Sequence, residues 1–506
     1  MILNHKNQIV IIFLFLSFFQ EISLLTNDNI IEDDNEKLLF VWEHFRHGAR
    51  DPYTKVNKKT WIDFIGVQWK SEGELNAIGL RAHYLLGIAT KKRYENFLSK
   101  NFDTNEIFII STDVNRTIVS AMANLQGVYK NNTTPNLTIN QIENSKISGL
   151  NQTYKEKIEE KIEEMKKSYI QDGISIMPIH LFSKVGLQFK LNDPKICPGA
   201  TELRKEARQQ EEVKKRLKEF QQLSNDTYGQ YIFQFMNVSK DNPNYLFEDD
   251  NIYYICDTYI ADYIAGIDMP HIYKTGIDMD KFYDHCLNNS MLSSYDILYG
   301  YPPTKLSYLT VSPIFRTIFN YMDRRIKLNE EHTPDKIDPS SPKFVIYSGH
   351  DSTIAGMDVF LKAVLNIDYE IPEYTTSQLF ELWQNKSGYF IKYLYNQKEK
   401  VVYELNDFKN RINQKLLSQN EINEICKDKS FQFNAKTAIK NKFYEKIFFI
   451  IDGLVVVLVA LLIFSDKKIN LDYFALYEIK MFNFLLIIKS FYCLHSKYTI
   501  PTKNYI

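Results

Sequence analysis

Residues 38–52 of this 506-residue chain read LLFVWEHFRHGARDP, and this stretch decides both the predicted fold and the predicted site. The apolar and aromatic run from Leu38 to Phe45 predicts a short buried strand, which the glycine and proline after it bring to an end. His47 is therefore expected on a loop at the end of the strand, between two arginines. Guanidinium groups carry paired donors that match phosphate oxygens, and an imidazole can attack phosphorus. The stretch predicts a site for a phosphoryl group.

Two further segments repeat the pattern of an apolar strand followed by charged residues. Phe344 to Tyr347 predicts a second buried strand, which leads into SGHDST at 348–353. Ile107 to Ile110 predicts a third, which leads into STDVNRT at 111–117 and then a helix. Open α/β sheets bind their ligands at the carboxyl ends of the strands. The charged groups of all three segments are therefore expected to converge.

The three motifs, RHGARDP at 46–52, RT at 116–117 and HD at 350–351, have the order typical of the histidine acid phosphatases. The chain resembles this family, the larger branch of the histidine phosphatases, from about Leu38 to about Tyr403. GELNAIG at 73–79 resembles a further family segment, although Asn76 stands where threonine is usual. The resemblance implies an α/β fold like that of phosphoglycerate mutase. Its sheet is open and mostly parallel, it is flanked by helices, and it carries an inserted, mostly α-helical cap.

The resemblance also implies roles for the motif residues. His47 would be the catalytic nucleophile and form a phosphohistidine. Four charged residues would bind the substrate phosphate and offset the repulsion of its oxygens: Arg46, Arg50, Arg116 and His350. Asp351 would protonate the leaving alcohol, a role that fits an acidic compartment or a pKa raised by the bound phosphate. The predicted activity is metal-independent and cofactor-free hydrolysis of phosphate monoesters, with a small molecule or a phosphoprotein as substrate.

Metal-dependent alternatives use some of the same residues. His44 and His47 have an H-x-x-H spacing, but residues three apart on a strand point to opposite faces, so we interpret His44 as structural. His350 and Asp351 share their dipeptide with the metal-dependent HD phosphohydrolases, whose ligands sit on helices, whereas this pair follows a strand. Arg116 could instead pair with Asp113 at a helix start. Five other histidines are interpreted as ordinary surface or packing residues: His83, His180, His271, His285 and His332.

The segment from about 130 to 308 is assigned to the cap because it has long helical patterns in place of alternating strands. Thr201 to Leu223 is rich in charged residues and glutamine, and its spaced Leu203, Val213 and Phe220 predict one amphipathic helix with a solvated charged face. Caps of this kind usually shape a substrate pocket.

The two termini carry apolar segments that predict targeting. Residues 1–23 are interpreted as a signal peptide. The run 447–464 is long enough, at about 27 Å, for a transmembrane helix, although Asp452 favours the alternative of a buried helix. The catalytic region 27–445 would then face a lysosomal or vacuolar lumen or the cell exterior. Residues 465–506 would form a cytosolic tail of a single-pass type I protein.

Cysteines and sequons agree with an oxidising compartment. Four cysteines lie in the proposed lumenal part and allow three pairings into two disulfides: Cys197, Cys256, Cys286 and Cys426. Sequons at Asn225, Asn288 and Asn385, among others, would accept glycans there. The net charge of −1 argues against a nucleic-acid partner. A homodimer is left open.

Three other functions share the predicted fold. A catalytically inactive membrane receptor or adhesion protein has no need of Asp351, so the complete motif set argues against it. A phytase-like inositol phosphate phosphatase is the alternative within the same class, but the cap shows no dense lysine cluster for a highly phosphorylated ring. A phosphomutase would not need secretion.

Overall fold

The computed structural model describes residues 36–52, 72–129, 137–144, 156, 176–181, 189–235, 251–290, 295–296, 298–331, 341–368 and 370–426. The predicted signal peptide, the predicted span at 447–464 and the predicted tail lie outside these ranges. Within them, none of the helices combines the length and the apolar character needed to cross a bilayer. The single-span prediction therefore has no support in the described part of the chain.

Seven strands of the described residues form one mixed sheet in the order β3-β2-β4-β1-β5-β6-β7. Their bounds are β1 Lys37–Arg46, β2 Ile107–Ser111, β3 His180–Leu181, β4 Phe344–Gly349, β5 Ser377–Asn385, β6 Gly388–Tyr395 and β7 Lys398–Glu404. Strands β3, β2, β4 and β1 run parallel, which confirms the predicted α/β sheet. Strands β5, β6 and β7 add an antiparallel extension, so the sheet is more mixed than the motifs alone indicated.

Helices cover both faces of the sheet. On one face lie α1 (Ala77–Arg93) and α2 (Asn115–Val128), whose Ala121 and Leu125 pack against the apolar side chains of β1, β2 and β4. On the other face lie α9 (Lys305–Glu330) and α10 (Asp351–Leu365), whose Phe315 and Phe360 belong to the largest core cluster. Two short helices follow β7, α11 (Leu405–Asn413) and α12 (Gln419–Cys426).

Strand β1 lies between β4 and β5, and every residue after Lys37 is buried. Strand β1 is covered by strands on both sides and by helices on both faces of the sheet. This burial explains why its sequence is almost continuously apolar instead of alternating. The same burial carries two polar residues into the core, Glu43 and His44. His44 stacks on Tyr347 at 4.5 Å, and burial lowers its pKa to about 3. It is a neutral core residue, as we interpreted it.

The described part of segment 130–308 is mostly helical. It contains α3 (Ile139–Asn144), α4 (Ala200–Gln209), α5 (Glu211–Phe235), α6 (Asn251–Ile264), α7 (Pro270–Tyr273) and α8 (Met279–His285), the last followed by a π turn at Cys286–Ser290. Tyr259 and Phe282 lie in an apolar cluster formed by these helices. The segment also contributes the edge strand β3 to the main sheet.

The four cysteines form two disulfides, Cys197–Cys426 and Cys256–Cys286. The first connects the start of the α4 region to the end of α12, and the second connects α6 to the π turn. The prediction of two bridges is confirmed, and the structure selects one of the three pairings.

The single helix predicted over Thr201 to Leu223 is wrong. Two helices occur, and the chain breaks at Gln210, whose backbone is extended with φ −61° and ψ 132°. The Gln210 side chain donates to the carbonyl oxygen of Pro302 and accepts from the amide of Tyr301. A local helical pattern cannot reveal such tertiary hydrogen bonds, and they hold Gln210 out of the helix.

Two glycines fix the loop after β1. A Cβ atom on Gly48 would lie 2.6 Å from the carbonyl oxygen of Gly79, and one on Gly79 would lie 2.2 Å from the carbonyl oxygen of Ala49. The loop and the first turn of α1 therefore touch backbone to backbone, as only glycine allows. Asn76 begins this helix, and its side chain accepts hydrogen bonds from the amides of Ile78 and Gly79. Asparagine thus performs the capping that the usual threonine would perform.

Replacing Gly79 by alanine is expected to lower the free energy of unfolding by about 1–3 kcal/mol, because backbone atoms on both sides would have to move. Gly229→Ala in α5 is the control, since the new methyl would meet the movable side chain of Asn225 at 3.0 Å. There the better helix propensity of alanine should leave stability unchanged or slightly higher. Urea unfolding of both variants makes the comparison, and equal effects would contradict the close-contact explanation.

Candidate active site

Three adjacent strands end at one edge of the sheet and carry the motif residues there. Arg46 of β1 lies beside Gly349 of β4, and Ser111 of β2 lies beside Ser348 of β4. The next residues along the chain are His47, His350 and Thr112. The predicted convergence of the three motifs at the strand ends is therefore found in the structure.

His47 is 2% exposed, and its Nδ1 lies 2.9 Å from the carbonyl oxygen of Gly48. Because a carbonyl oxygen can only accept, Nδ1 carries the hydrogen, and Nε2 keeps its lone pair. The backbone around His47 is bonded on both sides, by its own amide to Gly349 and by its carbonyl to the amide of Thr375. Nε2 is thus an oriented, unprotonated nitrogen suited to nucleophilic attack.

The surroundings of His47 keep its imidazole neutral. Burial lowers its pKa well below the ordinary value, and the positive charges of Arg46 and Arg116 lower it further. The ring of His350 stands edge-on to it at 5.6 Å between centroids. A nucleophile in this setting stays available in acid solution, where a solvent-exposed histidine would be protonated.

Arg46 is buried and bound on three sides. Its Nη2 lies 2.9 Å from Oδ2 of Asp351, its Nη1 donates to the carbonyl oxygen of Pro372 at 2.7 Å, and its Cζ stands 4.2 Å above the ring of Tyr374. Thr375, next to Tyr374, has φ 68°, an unfavourable conformation for a β-branched residue. The strained turn at 374–375 places the tyrosine ring over the arginine, and strain of this kind concentrates at functional sites.

Asp351 begins α10, and its Oδ1 accepts from the amide of Ser352 at 2.7 Å. Burial alone would raise its pKa, but Arg46, His350 and Arg50 outweigh burial and leave the pKa below the ordinary value. Asp351 is therefore an ionised partner of Arg46 in this structure. The predicted proton donor has to gain its proton when an anion occupies Arg46 and competes with this ion pair.

Arg50 is held by a residue of the mostly helical segment 130–308. Its Nη2 donates to both carboxylate oxygens of Asp257 in α6, at 2.9 and 3.2 Å, and its Nη1 donates to the carbonyl oxygen of Asp51. Sequence reasoning did not identify Asp257. A carboxylate within the largely apolar sequence NIYYICDTYIADYI of α6 was the available signal, since a charge on a buried helix face usually has a partner.

The orientation of His350 follows from a chain of hydroxyl groups. Thr117 donates its hydroxyl hydrogen to the carbonyl of Val114 or Thr112, so it accepts from Thr112 Oγ1 at 2.8 Å. Thr112 Oγ1 must then accept from His350 Nε2, 3.0 Å away. Nδ1 of His350 remains for a ligand, and it can donate to a phosphate oxygen only when the ring is protonated. Burial, Arg116 and Lys190 lower the pKa of His350, so anion binding has to restore that proton.

Arg116 lies in the first turn of α2 and reaches the carbonyl oxygen of Gly73 at 3.5 Å. Its charge acts on both His47 and His350. Lys190, which sequence reasoning missed, also acts on His350, and burial together with Arg116 lowers the pKa of its ammonium group despite Asp193. Arg116 and Lys190 thus add positive charge on the His350 side of the site.

His83 was interpreted as an ordinary surface or packing residue, but it binds the backbone of the candidate site. It is fully buried in α1, and its Nε2 donates to the carbonyl oxygen of Arg46 at 3.1 Å. Its spacing of four residues from Gly79 puts both on the face of α1 that meets the loop after β1, and this spacing was the missed signal. Within the described ranges, no group of three His, Cys, Asp or Glu side chains could hold a metal ion.

A comparison of the sequence with known protein families finds one family that matches most of the chain. The model of the histidine phosphatase superfamily, branch 2, matches residues 37–396, which span every strand from β1 to β6 and all the site residues above. The chain belongs to this superfamily.

Relatives of this histidine phosphatase include the human prostatic acid phosphatase, 25% identical over 398 residues that cover 76% of this chain and 81% of the relative. The human lysosomal acid phosphatase is 24% identical over 372 residues, 73% of each chain. The solved structure of the Hafnia alvei phytase apo form has a TM-score of 0.50 and 12% identity, and covers 76% of this chain and 98% of the phytase. This structural likeness confirms the histidine phosphatase fold.

Proposed function

We propose that this histidine phosphatase is an acid phosphatase that hydrolyses phosphate monoesters through a phosphohistidine on His47. The observation that carries the proposal is the oriented, neutral Nε2 of His47 among Arg46, Arg50 and Arg116. The similarity to the prostatic and lysosomal acid phosphatases supports the same activity.

In the first step, Nε2 attacks phosphorus and the bond to the leaving alcohol breaks. The arginines and protonated His350 bind the phosphate oxygens, which offsets the charge that repels a nucleophile. The hydrogen bond from Nδ1 to Gly48 stabilises the ring as it becomes positively charged on phosphorylation. Asp351 gives its proton to the departing alcohol oxygen.

In the second step, water attacks the phosphohistidine and His47 leaves with its lone pair restored. Asp351, now ionised, accepts a proton from that water, in reverse of its first role. Inorganic phosphate then departs and the Arg46–Asp351 ion pair of 2.9 Å can form again.

A single proton controls the pH dependence of this scheme. When a phosphate dianion binds Arg46, its charge raises the pKa of Asp351 above the lowered value that Arg46 otherwise sets, so binding takes up a proton. That proton comes from solution or from a singly ionised substrate. Above about pH 6, the second pKa of a phosphate monoester, both free protons and the singly ionised substrate become scarce.

We therefore expect kcat/KM of the purified full-length chain for p-nitrophenyl phosphate to fall as pH rises above about 6. As the pH decreases through 6.5, the ordinary pKa of histidine, the lowered pKa of His47 keeps the nucleophile unprotonated, so protonation of His47 should cause no loss of activity there. Assays from pH 3 to 8 with EDTA present test the proposal. An activity that chelation abolishes would favour a metal-dependent hydrolase, and a well-folded but inactive chain would favour the receptor alternative.

For the cellular location, we propose a lysosomal, vacuolar or extracellular compartment. Two disulfides support an oxidising environment, and relatives include lysosomal and prostatic enzymes. Localisation of a tagged full-length chain by microscopy, together with its electrophoretic mobility with and without glycosidase, would test this.

A further inference from the structure

The contact between Arg50 and Asp257 joins the phosphate site to the cap. Both side chains are about nine-tenths buried, and Nη2 of the arginine lies within 3.2 Å of both carboxylate oxygens. Asp257 follows Cys256, whose disulfide to Cys286 ties α6 to the π turn after α8. The carboxylate is therefore held in place beside the site. Since Asp257 binds only Nη2, the guanidinium of Arg50 keeps other donors for a phosphate oxygen.

The Arg50–Asp257 pair lies next to the Arg46–Asp351 pair, since the ring of Tyr374 is 4.2 Å from Cζ of Arg46 and 6.0 Å from Cζ of Arg50. Asp351, the proposed proton donor, marks the side on which the leaving group would depart, and both carboxylates act on the same neighbour, Tyr253. Burial raises the pKa of the Tyr253 hydroxyl, and Asp257 and Asp351 raise it further, opposed by Arg50 and Arg46. Two carboxylates and two arginines therefore act on this tyrosine, and each arginine is bound to one of the carboxylates.

Tyrosine rings complete the leaving-group side. The ring of Tyr374 lies 4.2 Å from Cζ of Arg46 and 6.0 Å from that of Arg50. Tyr295 is 5% exposed, its charged neighbours include Asp351 and Arg46, and its hydroxyl has no hydrogen-bond partner within the described ranges. With Tyr253, these side chains present aromatic surface and hydroxyl groups, while the other cations near the site, Arg116 and Lys190, act on His350.

We propose that Asp257 is a specificity-determining residue that selects phosphate monoesters with uncharged leaving groups over those that carry a second phosphate. The proposal rests on the function proposed above and narrows its substrate class. A second phosphate on the leaving group would approach Asp257 while Arg50 is already neutralised by it, and repulsion between like charges a few ångströms apart is strong where water is scarce. An aromatic or sugar hydroxyl meets no such repulsion.

The test compares two substrates with the same sugar, fructose 6-phosphate and fructose 1,6-bisphosphate. We expect the wild-type chain to prefer the monophosphate in kcat/KM. Asp257→Asn should raise the ratio of bisphosphate to monophosphate kcat/KM by about tenfold or more, because it removes the repelling charge. Asp257→Glu, which keeps the charge, should restore a ratio near that of the wild type.

Glu219→Gln is the matched control, since it removes one negative charge from an exposed position of the cap helix α5. It should leave the ratio unchanged. If Asp257→Asn and Glu219→Gln change the ratio equally, the effect is due to net charge and the proposal is wrong. An unchanged or lower ratio in Asp257→Asn would also overturn it. A wild-type chain that hydrolyses p-nitrophenyl phosphate but prefers the bisphosphate would overturn it while leaving the proposed function intact.

A second measurement needs no variant. Methylphosphonate and methylenebisphosphonate are compared as competitive inhibitors of p-nitrophenyl phosphate hydrolysis by the wild-type chain. We expect the bisphosphonate to bind more weakly, despite its additional charge, and tighter binding of the bisphosphonate would overturn the proposal. Absence of any hydrolysis by the wild-type chain would overturn the proposed function, and this inference with it.

Discussion

Replacement of His47 by alanine is expected to lower kcat for phosphate monoesters by at least about 10⁴-fold, the scale of effect found when a covalent nucleophile is removed. The substitution deletes the only atom positioned for attack in the proposed mechanism, Nε2. The phosphate-binding arginines remain, so substrate should still bind. The loss should therefore appear in kcat, with KM changed little.

The intermediate gives a direct test of the same prediction. When the reaction of the wild-type chain with ³²P-labelled substrate is rapidly quenched in alkaline denaturant, the protein should carry the label, and the label should be stable in alkali and lost in acid, as a phosphoramidate bond requires. His47→Ala should carry no label, and free imidazole should restore part of its activity by occupying the vacated space. His180→Ala, at an exposed strand edge, is the control and should be labelled normally. Labelling of His47→Ala at full level would refute the assigned nucleophile.

Replacement of Asp351 by asparagine is expected to have an effect that depends on the leaving group. Alkoxide is a poor leaving group and needs a proton, so hydrolysis of glycerol 2-phosphate should fall about 10²–10⁴-fold. The p-nitrophenolate ion leaves without one, so formation of the phosphoenzyme from p-nitrophenyl phosphate should fall less than about tenfold. Asparagine cannot accept a proton from water either, and breakdown of the phosphohistidine should become slower.

The ion pair between Asp351 and Arg46 predicts a second effect of this substitution, on KM. Because the carboxylate competes with an anion for this arginine at 2.9 Å, its removal should leave KM unchanged or lower it. Rapid-mixing measurements with both substrates separate the two steps, and unfolding curves check the fold. Equal losses with both leaving groups, accompanied by a higher KM, would indicate a structural role and contradict the proton-donor assignment.

Much of the architecture follows from local patterns. The apolar runs at β1, β2 and β4 predicted buried strands, because strands covered on both faces must exclude polar side chains almost continuously. The motif order then placed His47 and His350 at neighbouring strand ends and Arg116 in the helix after the third strand, where the structure has them. The antiparallel strands β5 to β7 were less evident, because the direction of a strand depends on its connections and not on its own residues.

Residues that support the site without belonging to a motif were not predicted. His83 and Thr112 form hydrogen bonds with partners that lie 37 and 238 positions away in the sequence. Tyr374 stacks on an arginine 328 positions away. Gln210 shows the same limit in the cap, where its bonds to 301 and 302 end a helix that its neighbours would continue. Apart from the spacing of four residues between Gly79 and His83, no periodicity or spacing carries information about such partners.

The sequence by itself determined the family, the sheet edge that bears the site and the chemistry of the motif side chains, since apolar patterning and residue type are local properties. The tertiary structure alone decided the state of those side chains. It set the hydrogen position on His47 through Gly48, the ionised pairing of Asp351 with Arg46, and the hold of Asp257 on Arg50. Protonation and pairing depend on burial and on charges a few ångströms away, and folding brings those charges together from distant parts of the chain.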